Sequence, residues 1–130
     1  MRKTTLILLI LCLFGFSVNA QEALFRAQQI VSPEIHSDNS VTFRLFAPNA
    51  TAVQITGDFL PTEKIETPMG QMDGPGKTNL KKVENGVWEF KTNPLGPELY
   101  NYSFIVDGMP STDPSNPFLI RDVASVTNIF

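Results

Sequence analysis

Cysteine is almost missing from this chain: Cys12 is the only one in 130 residues. It lies in the opening Met1–Ala20 stretch, which reads as a secretory signal peptide. Arg2 and Lys3 come first, then an apolar run from Leu6 to Phe16, then the small-residue close Val18-Asn19-Ala20. In a helix that run spans about 16 Å, against about 30 Å of bilayer hydrocarbon, so it is too short for a transmembrane anchor. Ile10 and Leu11 stand where a lipid-attachment site at Cys12 would need small residues. The reading is therefore export to the periplasm or the medium, with cleavage after Ala20 and no membrane association afterwards. Removing twenty residues takes 130 to 110 and, because Arg2 and Lys3 go with them, the net charge from −3 to −5. That is the size of one domain, and without cysteine it holds no disulfide, thiolate nucleophile or thiolate-ligated zinc.

Histidine and clustered positive charge are equally scarce. His36 is the only histidine; Ser37 and Asp38 adjoin it, but neighbours on a strand point to opposite faces and cannot form a Ser-His-Asp relay. No G-x-S-x-G elbow occurs, and one histidine without cysteine does not make a metal site. Apart from Lys81-Lys82 the basic residues are scattered, so nothing offers a phosphate backbone a positive surface and nucleic acid is excluded as a partner. Gly76-Lys77-Thr78 imitates a phosphate-cradling loop, but the glycine required at position 71 is Gln71. Glu63 and Glu66, in the same stretch, read as solvated charges rather than a catalytic pair. No cofactor is implied.

Helical periodicity is lacking too, apart from a weak trace over Glu22–Ile30; what is present has a period of two. Val41, Phe43 and Leu45 alternate with Thr42, Arg44 and Phe46, after a two-residue turn expected at Asp38-Asn39. Val53 and Ile55 share a face in a short strand over 52–56. Proline and glycine then punctuate residues 60–79, which read as one long loop. Residues 80–83, the Asn85-Gly86 turn, and Trp88 and Phe90 within 87–91 form a hairpin. After Pro94–Pro97, Tyr100, Tyr102, Phe104 and Val106 mark a central strand ended by Asp107-Gly108; Asp113–Pro117 reads as a rigid turn and 123–130 as the last strand. About seven short strands predict an all-β, immunoglobulin-like antiparallel sandwich. With no catalytic set in view, the remaining function is binding. Trp88 and Phe90 alternate as core residues do, which leaves Phe59, at a strand end, as the more open aromatic.

In order, Val41-Thr42-Phe43-Arg44-Leu45-Phe46-Ala47-Pro48-Asn49-Ala50, Gly57-Asp58-Phe59, Gly86-Val87-Trp88-Glu89-Phe90, Tyr100-Asn101-Tyr102-Ser103-Phe104-Ile105-Val106-Asp107-Gly108 and Asp113-Pro114 resemble the family 48 carbohydrate-binding module. This resemblance implies an E-set domain over 35–130, behind a lead-in over 21–34. The wording Pro94-Leu95-Gly96-Pro97-Glu98-Leu99-Tyr100, with Pro117-Phe118 and Arg121-Asp122, is most similar to modules heading secreted family 1 carbohydrate esterases of the feruloyl and acetyl-xylan type. It implies a catalytic domain beyond Phe130, which stands inside what reads as the final strand. Where glycogen-binding members carry two tryptophans and a lysine, this sequence has Thr62, Pro110 and Ser103; Ser125 and Thr127 keep the hydroxyls of the family's ligand strand.

The implied site set is therefore Phe59, Thr62, Ser103, Met109, Ser125 and Thr127. The implied ligand is xylan or arabinoxylan before α-glucan, held by a noncatalytic module that positions an esterase. Two alternatives stand beside it: a structural domain packed on its catalytic neighbour through a patch of Phe46, Phe59 and Phe118, and an α-glucan module of a glycoside hydrolase.

Overall fold

The computed structural model describes residues 30–130. The Met1–Ala20 leader, and with it the export reading, lies outside the described residues, as does nearly all of the Glu22–Ile30 trace. Twelve strands follow in order: β1 (Glu34–Ile35), β2 (Val41–Phe46), β3 (Val53–Gly57), β4 (Glu63–Thr67), β5 (Gly70–Gly74), β6 (Gly76–Asn79), β7 (Lys81–Lys82), β8 (Val87–Lys91), β9 (Asn101–Val106), β10 (Met109–Ser111), β11 (Leu119–Arg121) and β12 (Val126–Ile129). Sheet A has the order β1-β2-β8-β7; sheet B runs β11-β12-β9-β3-β6, with β10 folded back on β9; β4 and β5 pair only with each other. Every pairing is antiparallel. The architecture is the immunoglobulin-like sandwich that the period-two pattern predicts, with more and shorter strands than the seven expected.

The alternation decides what faces inward. Phe43 sits opposite Phe90 and Leu45 opposite Trp88 across β2 and β8; Ile55 sits opposite Phe104 across β3 and β9. Val41, Phe43, Leu45, Val53, Ile55, Leu80, Trp88, Tyr102 and Phe104 are buried between the two sheets. The indole N–H of Trp88 does not stay unpaired inside: it donates to the Ala47 carbonyl at 2.9 Å. On the outer side of sheet A, Arg44 joins three strands, donating to Glu89 at 2.7 Å and to Glu34 at 2.6 Å.

Three turns explain recurring motifs. Asn85 and Gly86 both have positive φ, 57° and 77°, as a tight β7–β8 turn requires, and a Cβ on Gly86 would also strike Pro48 at 2.6 Å. Asp58 accepts from the Asn101 backbone and side-chain amides, so Gly57-Asp58-Phe59 ties the end of β3 to the start of β9. Asp107, at φ 48°, opens the β9–β10 turn, and its Oδ1 accepts from both Thr51 N (2.9 Å) and Ala52 N (2.8 Å). One oxygen serves both donors, so Asp107→Asn should keep them and Asp107→Ala should lose them. The expected melting temperatures are near wild type for the first and lower by about 5 °C for the second, measured by circular dichroism.

Three local expectations change. The first turn holds three residues, not two: His36 N donates to Ser40 O, Asn39 N donates to His36 O, and Asn39 takes the left-handed conformation at φ 62°. Residues 60–79 are not one loop but the β4–β5 hairpin followed by β6. The hairpin pairs Lys64 with Asp73, Ile65 with Met72 and Glu66 with Gln71. It returns at Gly76, where a Cβ would lie 2.0 Å from the Pro61 carbonyl oxygen. Finally, a strand is added: β12 lies within the expected 123–130, but β11 precedes and pairs with it, because the Asp122 carboxylate accepts from Ala124 N and Ser125 N and reverses the chain between them.

Candidate functional site

Alternation on sheet B leaves one row of polar side chains on its outer face. On β3, Val53 and Ile55 go inward and Gln54 and Thr56 outward. Thr56 lies opposite Ser103 on β9 and Lys77 on β6, and Gln54 lies opposite Ile105 and Asn79. On β12, Asn128 faces inward opposite Tyr102, which turns the preceding Thr127 outward beside Ser103. Hydroxyls from Thr56, Ser103 and Thr127 thus line up across three neighbouring strands. Gln54 donates to the Asn79 side-chain carbonyl at 2.9 Å, and Thr56 donates to Gly76 O at 2.9 Å, which orients both side chains. This face offers donors and acceptors beside apolar side chains, Ile105 with Pro110 opposite it and Ile120 opposite Thr127, but no aromatic ring.

Of the six residues expected in the site, Ser103 and Thr127 share this face. Met109 is exposed but pairs with Val106, an inward position, while Pro110 takes the outward position opposite Ile105. Ser125 sits in the β11–β12 turn and donates to Asp122. Thr62 is exposed just before β4. Phe59 is not the open platform expected of it: it is half-buried, stacked on Phe43 at 5.2 Å and 7° and edge-on to Tyr100 and Phe130. Gln54, Thr56 and Asn79 are the site residues sequence reasoning passed over. The β3 alternation pointed to the first two; Asn79 was hidden in the stretch read as loop.

The anticipated Phe46–Phe59–Phe118 patch does not form, since Phe59 packs against the core. Phe118 is instead 67% exposed beside Val31 (61%) and Ile35 (63%). Two grooves open here, of about 430 Å³ and 250 Å³, and share Ile35 and Phe130 as lining. Beneath them lies a polar knot. The Asp113 carboxylate, 2% exposed, accepts from Ser32 Oγ, Tyr102 OH (2.9 Å) and Ser115 N (2.8 Å). Asn128 accepts from Asp113 N at 2.7 Å and donates to Asn116 O, and Asn116 donates to Tyr102 OH and Ile129 O. Burial raises the Asp113 pKa above its ordinary value, against the lowering effect of those three hydrogen bonds. Burial, and then the negative charge of Asp113, raise that of the Tyr102 phenol.

The His36–Ser37–Asp38 run shows no relay. His36 Nε2 is 2.8 Å from Thr42 Oγ1, and Asp38 accepts from Ser40 N and Oγ. Those two contacts to Ser40 hold the Asp38 carboxyl below its ordinary pKa. Among the described residues no three His, Cys, Asp or Glu side chains converge as a metal ion would need.

The sequence matches the model of the family described as carbohydrate-binding module 48 (isoamylase N-terminal domain) over residues 31–118. No curated protein matches it. Among solved structures it is similar to the Group B Streptococcus pullulanase SAP in complex with maltotetraose, at 18% identity and a TM-score of 0.54. It is also similar to the apo pullulanase from Paenibacillus barengoltzii, at 19% identity and a TM-score of 0.50. These alignments cover 78% and 88% of this chain but only 14% and 16% of the two pullulanases. At such identities the likeness is one of fold.

Proposed function

The chain belongs to the carbohydrate-binding module 48 (isoamylase N-terminal domain) family, and on that premise we propose that it is the noncatalytic carbohydrate-binding module of an α-glucan-degrading glycoside hydrolase, with its glycan laid across the outer face of sheet B. The observation that carries this reading is the row of Thr56, Ser103 and Thr127 hydroxyls flanked by the Gln54 and Asn79 amides. Hydroxyl and amide groups on a flat, rigid sheet meet the hydroxyls of a sugar chain without rearrangement. The structurally similar proteins are pullulanases, one of them in complex with maltotetraose, which favours α-glucan over xylan. The esterase parent expected from Pro94–Tyr100 has no counterpart among those structures. Without an aromatic platform the affinity is weak, and the module acts by raising the local concentration of substrate for an attached enzyme.

The test is affinity electrophoresis of the full chain in gels containing glycogen or arabinoxylan, followed by titration with maltotetraose. Retardation by glycogen is expected, with binding about tenfold weaker in Ser103→Ala/Thr127→Ala, the loss of two hydrogen bonds. Retardation by arabinoxylan alone would restore the esterase-type reading. A second reading has its own observation: Val31, Ile35 and Phe118 form an exposed apolar end face of the kind that packs against another domain. Absence of retardation by either polysaccharide would favour that role.

A further inference from the structure

The short β7 leaves one edge of sheet A open. β7 pairs only with Glu89 and Trp88, whereas β8 runs on to Lys91. Thr92 N donates to Val41 O on the β2 side, so by the alternation of antiparallel strands the N–H and C=O of Lys91 point the other way, into the gap. A cleft of about 410 Å³ opens there, lined by Thr78, Asn79, Lys81, Val83, Phe90 and Lys91, with Glu89 on its wall.

Its charge is unusual for this molecule. The chain carries −3 overall, yet Lys77, Lys81, Lys82 and Lys91, four of its ten basic residues, sit on the consecutive strands β6, β7 and β8. Lys77 is 3.5 Å from Glu63. Lys82 donates to Pro48 O and lies over the Trp88 ring. The Glu89 carboxylate is held by Arg44 at 2.7 Å. Among the described residues neither Lys81 nor Lys91 makes a salt bridge; Glu89 lies opposite Lys81 but is held by Arg44, which it shares with Glu34, and the charge of Lys91 reaches Glu34 and Asp38. The two ammonium groups are the cations the cleft has to offer, beside a half-buried aromatic, Phe90. A pyranose ring presents an apolar C–H face and, if it is acidic, one anionic substituent; the cleft pairs an aromatic and Val83 with two ammonium groups, an amide and a hydroxyl.

We propose that this cleft is a binding site for an acidic sugar, a pyranose carrying a single carboxylate or phosphate group. The sugar class rests on the carbohydrate-binding reading above; the site itself stands on its charge and shape, and it meets the neutral-glycan face only at Asn79.

The experiment is calorimetric titration of the full chain with digalacturonate, with glucose 6-phosphate and with maltotetraose, at low and high salt. The variant is Lys81→Gln/Lys91→Gln, and the charge-matched control is Lys64→Gln/Arg121→Gln. Binding of one acidic sugar is expected, weakened by salt and about tenfold weaker in the Lys81/Lys91 variant, with the control unchanged; which sugar binds identifies the anion. If neither acidic sugar binds, or the control weakens as much as the variant, the proposal is overturned. It is also overturned if maltotetraose loses affinity in the Lys81/Lys91 variant in parallel with the acidic sugar, since one unselective site would then explain both. Loss of maltotetraose binding by the unmodified chain while an acidic sugar still binds would remove the α-glucan reading and leave the cleft standing.

Discussion

Asp113→Ala is expected to destabilise the fold by about 3 kcal/mol, because it strands two buried hydroxyl donors and a part-buried backbone N–H at once. Ser32 Oγ, Tyr102 OH and Ser115 N all point at the carboxylate, and Tyr102 and Ser32 are themselves buried. Against a total stability of roughly 5–15 kcal/mol for a domain of this kind, that is a large fraction. Asp113→Asn should cost less, since its amide oxygen can still accept from Ser115 N while the NH2 group meets the Ser32 and Tyr102 oxygens as a donor. The two variants separate further with pH. The folded protein holds the Asp113 proton more firmly than the unfolded chain does, because burial raises its pKa above 3.8. Its contribution is therefore complete below that ordinary value and is lost as pH rises through the raised one. Glu34, Asp38 and Asp122 act oppositely: their hydrogen-bonded carboxylates have lowered pKa values, so their contribution is present above the ordinary value and lost as pH falls. Urea midpoints for wild type and Asp113→Asn, taken across the acid range, isolate the Asp113 effect as a difference. Wild type should lose stability relative to Asp113→Asn as pH rises; parallel curves would show that Asp113 does not titrate in the folded state.

This knot also shows where the sequence is silent. Asp113 is legible as the start of a turn, but its partners Tyr102 and Ser32 lie 11 and 81 positions away, and nothing in a local pattern announces a buried carboxylate. Asn128, fully buried in the last strand, breaks apolar alternation for the same reason. Strands that alternate against the core were readable: Val41, Phe43 and Leu45, Val53 and Ile55, Tyr102 and Phe104. The β4–β5 hairpin was not, because it buries little. One of its faces carries Lys64, Glu66, Gln71 and Asp73, the other Ile65 and Met72, and its support is a backbone ladder with a Lys64–Asp73 ion pair. Reading the whole of 60–79 as loop also hid β6 and with it Asn79, while Ser103 and Thr127 came only through resemblance to a family.

Phe43→Ala is expected to cost about 3–5 kcal/mol, the range for removing a fully buried aromatic side chain from a core. Phe43 is 0% exposed and packs against Phe59, Tyr102 and Phe130, with ring centroids 5.2, 4.7 and 5.2 Å away. No neighbouring strand can collapse into the space without breaking the β2–β8 register that places Phe43 opposite Phe90. Phe59→Ala should destabilise less, since Phe59 is only partly buried, but the two losses should not add. Each substitution removes the same stacked pair, so the double variant is expected to cost about 1 kcal/mol less than the sum of the singles. Denaturant unfolding of the four proteins measures that coupling. It also decides the role of Phe59: a coupled loss of stability with glycan binding unchanged assigns the ring to the core. Strict additivity together with a fall in glycan affinity would return it to the ligand surface.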